Sequence, residues 1–106
     1  MELLKIQDPL NNEIYFDVQS IGLAIGNSEF SSFTHDIIRK TIRSPTAILE
    51  LDKDNRKYIG FVLNSHIRIV NVLFNGDYWY VKDVDLDKSK DELFLLIQKN
   101  RVIYKK

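Results

Sequence analysis

Cysteine is absent from the chain of 106 residues, which excludes disulfides, thiolate metal ligands and cysteine nucleophiles. An excess of either charge is also lacking, because 15 lysines and arginines balance 15 aspartates and glutamates. A protein that binds nucleic acid by bulk electrostatics alone presents many more cations than acids. Any anion-binding surface must therefore come from local clustering of basic residues.

The sequence contains no long apolar run. None approaches the roughly 20 residues that span a bilayer, and Met1 to Lys5 lacks the cationic and then apolar pattern of a secretion signal. We therefore predict a cytoplasmic protein without membrane association. An apolar share of 44% and a charged share of 28% are ordinary for a globular protein. With no repeat, linker or low-complexity segment, we expect a single domain over residues 1–106.

Proline and glycine are scarce, at two and four residues, so the turns can be located individually. Asp8-Pro9-Leu10-Asn11-Asn12 has turn chemistry. It separates the short runs Leu3–Ile6 and Glu13–Phe16, which predicts a small N-terminal hairpin. The pattern from Val18 to Ile25 predicts a short helix that the Gly26-Asn27 pair terminates.

A second helix is predicted to begin at Ser28 or Ser31, where apolar residues start to recur with helical spacing. It must end near Arg43, because Ser44 precedes a proline and is disfavoured in the helical region. Three basic or titratable residues spaced four apart form a row on the edge of its apolar stripe. They are His35, Arg39 and Arg43.

Beyond Pro45 the apolar periodicity changes from helical to alternating. Four runs rich in β-branched and aromatic residues, separated by turn residues, predict strands. Asn75-Gly76 is the strongest of those turns and predicts an antiparallel hairpin with a type I′ or bulged turn. The predicted strands are Ala47–Asp52, Lys57–Leu63, His66–Phe74 and Tyr78–Val84.

The C-terminal segment allows two interpretations. Ser89 and Glu92 have the spacing of a capping box, which predicts a third helix to about Lys99. The competing interpretation is a strand hairpin, since a continuous apolar run follows Glu92. Arg101–Tyr104 is an edge strand in either case. The predicted fold is α+β, with short helices packed on one face of an antiparallel four- to five-stranded meander sheet and a small N-terminal hairpin.

Two histidines are the only side chains that ordinarily titrate near neutral pH. Metal-free RNA cleavage needs a base, an acid and cations that hold the phosphate. Alternation places His66 and Arg68 on one face of a strand, and Tyr80 and Lys82 on one face of the next. The candidate catalytic residues are therefore His35, His66, Arg68 and Lys82. The alternative is that both histidines are solvated surface residues.

Cations near the predicted helix end and in the following turn are candidates for phosphate contacts, because guanidinium groups bind phosphate in a bidentate manner. An aromatic residue beside the Asn75-Gly76 turn has the chemistry to stack on a base. The alternative is a solvated charged face. The candidate substrate-binding residues are Arg39, Arg43, Arg56, Lys57 and Tyr80.

We predict neither a metal nor a cofactor. The two histidines are too far apart in sequence for a zinc motif. Asp83, Asp85 and Asp87 alternate like metal ligands but lack the glycine and glutamate of a calcium loop. The glycines form neither a phosphate loop nor a dinucleotide fingerprint.

The order of the elements, the Asp8-Pro9-Leu10-Asn11-Asn12 turn and the segment Ile38 to Ile48 resemble one superfamily. The chain is similar to small phage-type and polymorphic-toxin domains of the nuclease superfamily that includes barnase, EndoU, the colicin ribonucleases and RelE. The resemblance implies a sheet that cleaves RNA without metal. Members carry histidines in the helix before the Thr-Ile-x-x-Pro element. Val18 to Phe33 contains none, and His35 is the nearest substitute.

Three hypotheses follow. The first is a metal-independent, toxin-like endoribonuclease domain, catalytic or degenerate, whose partner is RNA. The second is a non-catalytic module that binds a cognate toxin, antitoxin or immunity protein through a face such as the acidic segment Asp83–Glu92. The third is a structural phage or mobile-element protein that exposes Leu3–Phe16 or Arg101–Tyr104 for strand pairing.

Overall fold

The computed structural model describes residues 3–17, 32–61 and 66–106, with side chains except at 32–34, 61, 66, 86–88 and 90. Its strands are β1 (Leu3–Gln7), β2 (Glu13–Asp17), β3 (Ala47–Asp52), β4 (Asn55–Phe61), β5 (His66–Phe74), β6 (Trp79–Ser89) and β7 (Arg101–Lys105). Its helices are α1 (Ser32–Arg43) and α2 (Lys90–Lys99). The predicted helix from Val18 to Ile25 lies outside the described residues.

The strands form one seven-stranded sheet in the order β1-β2-β6-β5-β4-β3-β7. The α+β class is confirmed, but the prediction of four to five antiparallel strands is wrong. β2 runs parallel to β6, with Ile14 opposite Trp79 and Tyr15 opposite Tyr80, whereas the other neighbouring pairs are antiparallel. Parallel strands are joined by a long connection and not by a tight turn. The sequence near β2 and β6 therefore does not predict that the N-terminal hairpin joins the meander sheet.

The two helices cover opposite faces of the sheet, and the expectation of helices on one face is wrong. Successive side chains of a strand point to opposite sides, and the central strands are apolar at consecutive positions, as in strands buried on both faces. The core of the α1 face contains Ile6, Ile14, Phe16, Ile38, Ile42, Ile48, Tyr58, Val70, Val72 and Val81. The core of the α2 face contains Ala47, Leu49, Ile59, Ile67, Ile69 and Leu93.

Both described helices end where the sequence predicts. After α1, the Ser44 amide donates to the Lys40 carbonyl at 2.9 Å. α2 confirms the helical interpretation of the C-terminal segment over the strand hairpin. Ser89 has the extended conformation of an N-cap but makes no capping hydrogen bond through its side chain. The capping box therefore predicted the position of the helix start, and the Ser89 side-chain contact that it implies is not present.

Asn75-Gly76 turns the chain between β5 and β6, as predicted. Gly76 has a φ of 100°, a value that favours glycine. The Asn75 side chain accepts hydrogen bonds from the amides of Asp77 at 2.9 Å and Tyr78 at 3.0 Å. Residues 75–78 form the loop, and within it only the glycine has a positive φ. A type I′ turn needs two such residues, so that alternative is wrong.

Candidate functional site

A cationic pocket lies between the end of α1 and the sheet. It is a cavity of about 330 Å³. Three of its lining side chains are cations and three carry hydroxyl groups, and none of the described lining residues is acidic. This combination is typical of a site for an anion with several oxygen atoms. The lining residues are Ile37, Lys40, Thr41, Ser44, Thr46, Gly60, Arg68 and Lys106.

Each cation of the cationic pocket comes from a different part of the fold. Lys40 lies in the last turn of α1, and Arg68 lies in β5 opposite Gly60 of β4. Lys106 follows β7, and its amide donates to the Thr46 carbonyl at 2.9 Å. Backbone hydrogen bonds therefore fix the walls of the pocket before any ligand binds.

Gly60 lets α1 approach the sheet closely. A Cβ atom at this position would lie 2.9 Å from Oγ1 and 3.2 Å from Cγ2 of Thr41. Thr41 is buried, and its hydroxyl donates to the Ile37 carbonyl at 2.7 Å, so its side chain is already held in place. Gly60 thus sets the distance between α1 and the floor of the cationic pocket.

Arg68 is the most enclosed cation of the pocket. It is half-buried, whereas Lys40 and Lys106 are exposed. Burial lowers the pKa of its guanidinium, because desolvation disfavours the charged form. Among the described residues, no ion pair joins Arg68 to an acidic side chain. A partly desolvated cation without a carboxylate gains more from a bound anion than a fully solvated one does.

The helix end itself does not attract anions, because the C-terminus of a helix carries a partial negative charge. Lys40 and Arg43 in the last turn of α1 offset that charge. The preference of the pocket for an anion therefore comes from its side chains.

Arg56 lies on the same face of the sheet as Arg68 but has acidic and aromatic partners. Its Nη1 atom lies 4.0 Å from the Asp8 carboxylate, and its guanidinium lies 4.1 Å from the centre of the Trp79 ring. The Tyr58 hydroxyl donates to the same carboxylate. We term these four residues the Asp8 cluster.

The Asp8 cluster ties the first turn of the chain to the centre of the sheet. The Asp8 carboxylate is fully buried, and it also accepts hydrogen bonds from the amides of Leu10 at 2.9 Å and Asn12 at 2.8 Å. Burial, with the hydrogen bond to Asp8, raises the pKa of Tyr58 well above its ordinary value. These contacts favour a structural role for Arg56, which the sequence had nominated for substrate binding.

Lys57 and Lys82 lie on the α2 face and line a different cavity, of about 250 Å³. The Lys57 Nζ donates to Asn71 Oδ1 at 2.6 Å. The Asn71 amide nitrogen in turn donates to Asp83 Oδ1 at 2.5 Å and to Asp85 Oδ2 at 3.3 Å. Acidic side chains therefore lie close to Lys57 and Asp83 lines this cavity, in contrast to the cationic pocket.

Tyr80 belongs to a row of three tyrosines near the Asn75-Gly76 turn. The ring centres of Tyr15 and Tyr78 lie 4.9 Å apart, and those of Tyr78 and Tyr80 lie 6.3 Å apart. Tyr80 is opposite Leu73, so it lies on the α2 face. Trp79 packs against the core of the α1 face, which confirms that alternation buries one side of this aromatic segment.

The structure does not bring the candidate catalytic residues into one site. Arg68 lines the cationic pocket and Lys82 lines the cavity on the α2 face. His35 packs edge-on against Phe16, with ring centres 5.6 Å apart. The backbone of His66 starts β5, two residues before Arg68, and its side chain lies outside the described ones. The catalytic roles of these residues stay predictions.

The predicted cationic row of α1 does not line the cationic pocket. Arg39 is half-buried and Arg43 is exposed, and neither lines the cavity. The lining cation of this helix is Lys40, one position from Arg39.

Sequence reasoning missed Ser44, Thr46 and Lys106 as members of a site. Ser44 and Thr46 flank the proline that follows α1. From the sequence, this segment predicts only the end of the helix. Lys106 comes close to Thr46 because β7 pairs with β3, with Lys105 opposite Ala47. No local pattern predicts that pairing.

Comparison of the chain with protein-family models, with curated proteins and with solved structures found no match. The resemblance to the small-nuclease superfamily therefore stays a prediction. Across 3–17, 32–61 and 66–106, no helix has the length and apolar character needed to cross a bilayer. Those same residues contain no group of three His, Cys, Asp or Glu arranged to hold a metal ion.

Proposed function

We propose that the protein binds RNA through phosphate at the cationic pocket. The observation that carries this proposal is that Lys40, Arg68 and Lys106 line one cavity whose described lining contains no acidic side chain. Guanidinium and ammonium groups form charge-assisted hydrogen bonds with phosphate. The hydroxyls of Ser44 and Thr46 supply further donors at the same cavity.

The choice of RNA rests on the resemblance to metal-independent ribonucleases. The balanced overall charge of the chain is consistent with a few local contacts rather than an extended basic surface. About three cations at the pocket predict that the logarithm of affinity falls with the logarithm of salt concentration with a slope of about −2. Binding of RNA through many cations spread over the protein surface would give a much steeper slope.

Cleavage at the cationic pocket needs a group that accepts a proton and one that donates it. His66 precedes Arg68 by two positions in β5, a separation of about 7 Å along a strand. In a catalytic form of this function, His66 is the general base or acid and Arg68 holds the phosphate. His35, in α1, is the second histidine to test.

Fluorescence anisotropy with a labelled single-stranded RNA of about twelve nucleotides tests the binding. Arg68→Ala should weaken binding about tenfold or more, because it removes charge-assisted hydrogen bonds that contribute about 1.5–3 kcal/mol. Arg101→Ala is the matched control, since Arg101 is exposed on β7 and does not line the pocket. It should change the affinity less than threefold or so. Equal losses in the two variants, or no binding by the wild type at low salt, would contradict the proposal.

The catalytic form is tested by incubating the same RNA with protein in EDTA. Cleavage by the wild type that His66→Ala abolishes and His35→Ala preserves supports the assignment of His66. The reverse pattern assigns the role to His35. RNA that stays intact with the wild type restricts the function to binding.

A second candidate function is a non-catalytic protein-binding module, and one observation favours it. Phe94 and Leu95 of α2 are 58% and 56% exposed, and neighbouring large apolar residues at a surface mark interaction sites. Sedimentation velocity over a range of concentrations tests whether this surface joins copies of the chain. Self-association that Phe94→Ser removes and Gln98→Ser preserves supports the interface, whereas a strict monomer counts against it.

A further inference from the structure

We infer that the cationic pocket selects a terminal phosphate monoester, the phosphorylated end of an RNA strand, over an internal phosphodiester. This inference rests on the proposed RNA binding and adds which phosphate of the RNA is bound. It follows from the charge of the pocket, the convergence of its cations and its hydrogen-bond donors.

The charge of the pocket matches a monoester better than a diester. A phosphate monoester carries about −1.5 to −2 charges at pH 7, whereas each internal phosphate of a strand carries one. Lys40, Arg68 and Lys106 line a single cavity instead of following one another along a groove. Proteins that bind the interior of single strands use a groove that tracks the backbone.

The pocket is assembled from several elements of the fold. Its walls come from α1, from Gly60 of β4, from Arg68 of β5 and from the Thr46 and Lys106 segments. The Lys106 amide donates to the Thr46 carbonyl, which holds these two segments together, so the cations converge on one point rather than on an extended path.

The donors of the pocket also match a terminal phosphate, which has three strong acceptor oxygens. The Thr41 hydroxyl already donates to Ile37. The hydroxyls of Ser44 and Thr46 remain beside the three cations. An internal phosphate offers only two unesterified oxygens and uses these donors less completely.

Two other described lysines have acidic side chains near them. Lys57 donates to Asn71 beside Asp83, and Lys5 lies 3.6 Å from Glu13. Glu13 lies next to Lys5, and Asn71 connects Lys57 to Asp83. The negative charge of these carboxylates repels a phosphate dianion. The cationic pocket differs because no described acidic side chain lines it.

The test compares one RNA sequence with a 5′-phosphate, with a 3′-phosphate and with hydroxyl groups at both ends, each carrying an internal fluorophore. We expect one phosphorylated RNA to bind about tenfold or more tightly than the hydroxyl form, since one added charge-assisted contact is worth about that factor. Arg68→Ala should remove this gain and Arg101→Ala should preserve it. Lys40→Ala, which changes an exposed side chain, tests the same point if Arg68→Ala does not fold.

The pH dependence of the gain provides a second readout. The second ionisation of a phosphate monoester has a pKa of about 6, so the gain should shrink as the pH falls from about 7.5 to about 5. The ratio of the two affinities is the quantity to follow, because titration of the protein affects both RNAs.

Three results would overturn the inference. Equal affinity for phosphorylated and hydroxyl RNA leaves the proposed RNA binding intact and shows that the pocket takes internal phosphate. A gain that Arg68→Ala and Lys40→Ala both leave unchanged places the terminal phosphate elsewhere. Binding of inorganic phosphate in calorimetry without binding of any RNA rejects the inference and the proposed function together.

Discussion

Arg56 and Arg68 lie on the same face of one sheet, and they differ in whether a carboxylate accompanies them. Arg56 is 15% exposed and lies beside the fully buried Asp8, with Trp79 against its guanidinium. Arg68 lines a cavity that no described acid shares. A buried cation beside its own carboxylate is costly to separate from it, because either charge left alone is uncompensated, whereas a cation without a carboxylate is available to an external anion.

The comparison teaches that the partner of a basic residue decides its role. Arg56 and Arg68 are both basic residues in strands rich in β-branched and aromatic residues. The sequence predicts a functional role for both, substrate binding for Arg56 and catalysis for Arg68. Asp8, which separates their roles, is 48 positions from Arg56 in the chain. The predictions below test the separation, beginning with the largest effect.

Asp8→Ala should cause the largest loss of stability. It leaves Arg56 without its carboxylate and removes the acceptor of the Tyr58 hydroxyl and of the Leu10 and Asn12 amides. Breaking a buried charged pair costs about 3–5 kcal/mol. Urea denaturation measures the free energy of unfolding.

Glu13→Ala is the matched control for that variant. Glu13 pairs with Lys5 at the surface, where both side chains are more than half exposed, and such pairs contribute about 0–1 kcal/mol. Similar losses for Asp8→Ala and Glu13→Ala would show that the Asp8 cluster is not a structural centre.

Gly60→Ala should cost about 1–3 kcal/mol, because the added Cβ would lie 2.9 Å from Thr41 Oγ1 and crowding of a packed interface has a cost of this size. The same shift of α1 should weaken RNA binding at the cationic pocket. Unfolding experiments and anisotropy on one protein sample measure both effects.

The origin of the Gly60→Ala effect is tested in a Thr41→Ala background, which removes the crowding atoms. There the added methyl should cost less than it does in the wild type. An undiminished cost would mean that contact with Thr41 is not the cause.

Tyr58→Phe should change how stability depends on alkaline pH. The pKa of Tyr58 is raised in the folded protein, above an ordinary value of about 10, so the folded state holds the proton more tightly than the unfolded chain does. The resulting stability is present in full below about pH 10 and is lost above it at up to about 1.4 kcal/mol per pH unit. The wild type should therefore lose more stability than Tyr58→Phe between about pH 9 and pH 11.5 in urea denaturation. If the stability of the wild type and of Tyr58→Phe depends on pH in the same way, Tyr58 is not buried with its hydroxyl bound to Asp8.

Local turn chemistry made much of the fold predictable. Ser44-Pro45 ends α1, and Asn75-Gly76 turns the chain between β5 and β6. Runs of β-branched residues located the strands, although β6 continues to Ser89, five residues beyond the predicted end at Val84. The parallel pairing of β2 with β6 and the pairing of β7 with β3 were not predictable, because each joins segments distant in the chain and leaves no local signal.

The candidate site was less predictable for the same reason. Alternation identified Arg68 as a surface cation of β5, but the cationic pocket also needs Lys106, which β7 brings beside Thr46. In the Asp8 cluster, Arg56 was expected at a binding surface but lies beside Asp8, an acid from the first turn of the chain. Neither outcome can be read from residues near Arg56 or Arg68 in the chain.

The most direct test compares Arg56→Ala with Arg68→Ala in two assays on the same samples, urea denaturation and anisotropy with single-stranded RNA. Arg56→Ala should lower the free energy of unfolding by about 2–4 kcal/mol, because the buried Asp8 carboxylate loses its cation but keeps its other hydrogen-bond donors, and it should leave the RNA affinity of the folded protein within about threefold. Arg68→Ala should change the free energy of unfolding by about 1 kcal/mol or less and weaken RNA binding about tenfold or more. Equal effects of the two substitutions in both assays, or the reverse pattern, would contradict the division of structure and binding between these arginines.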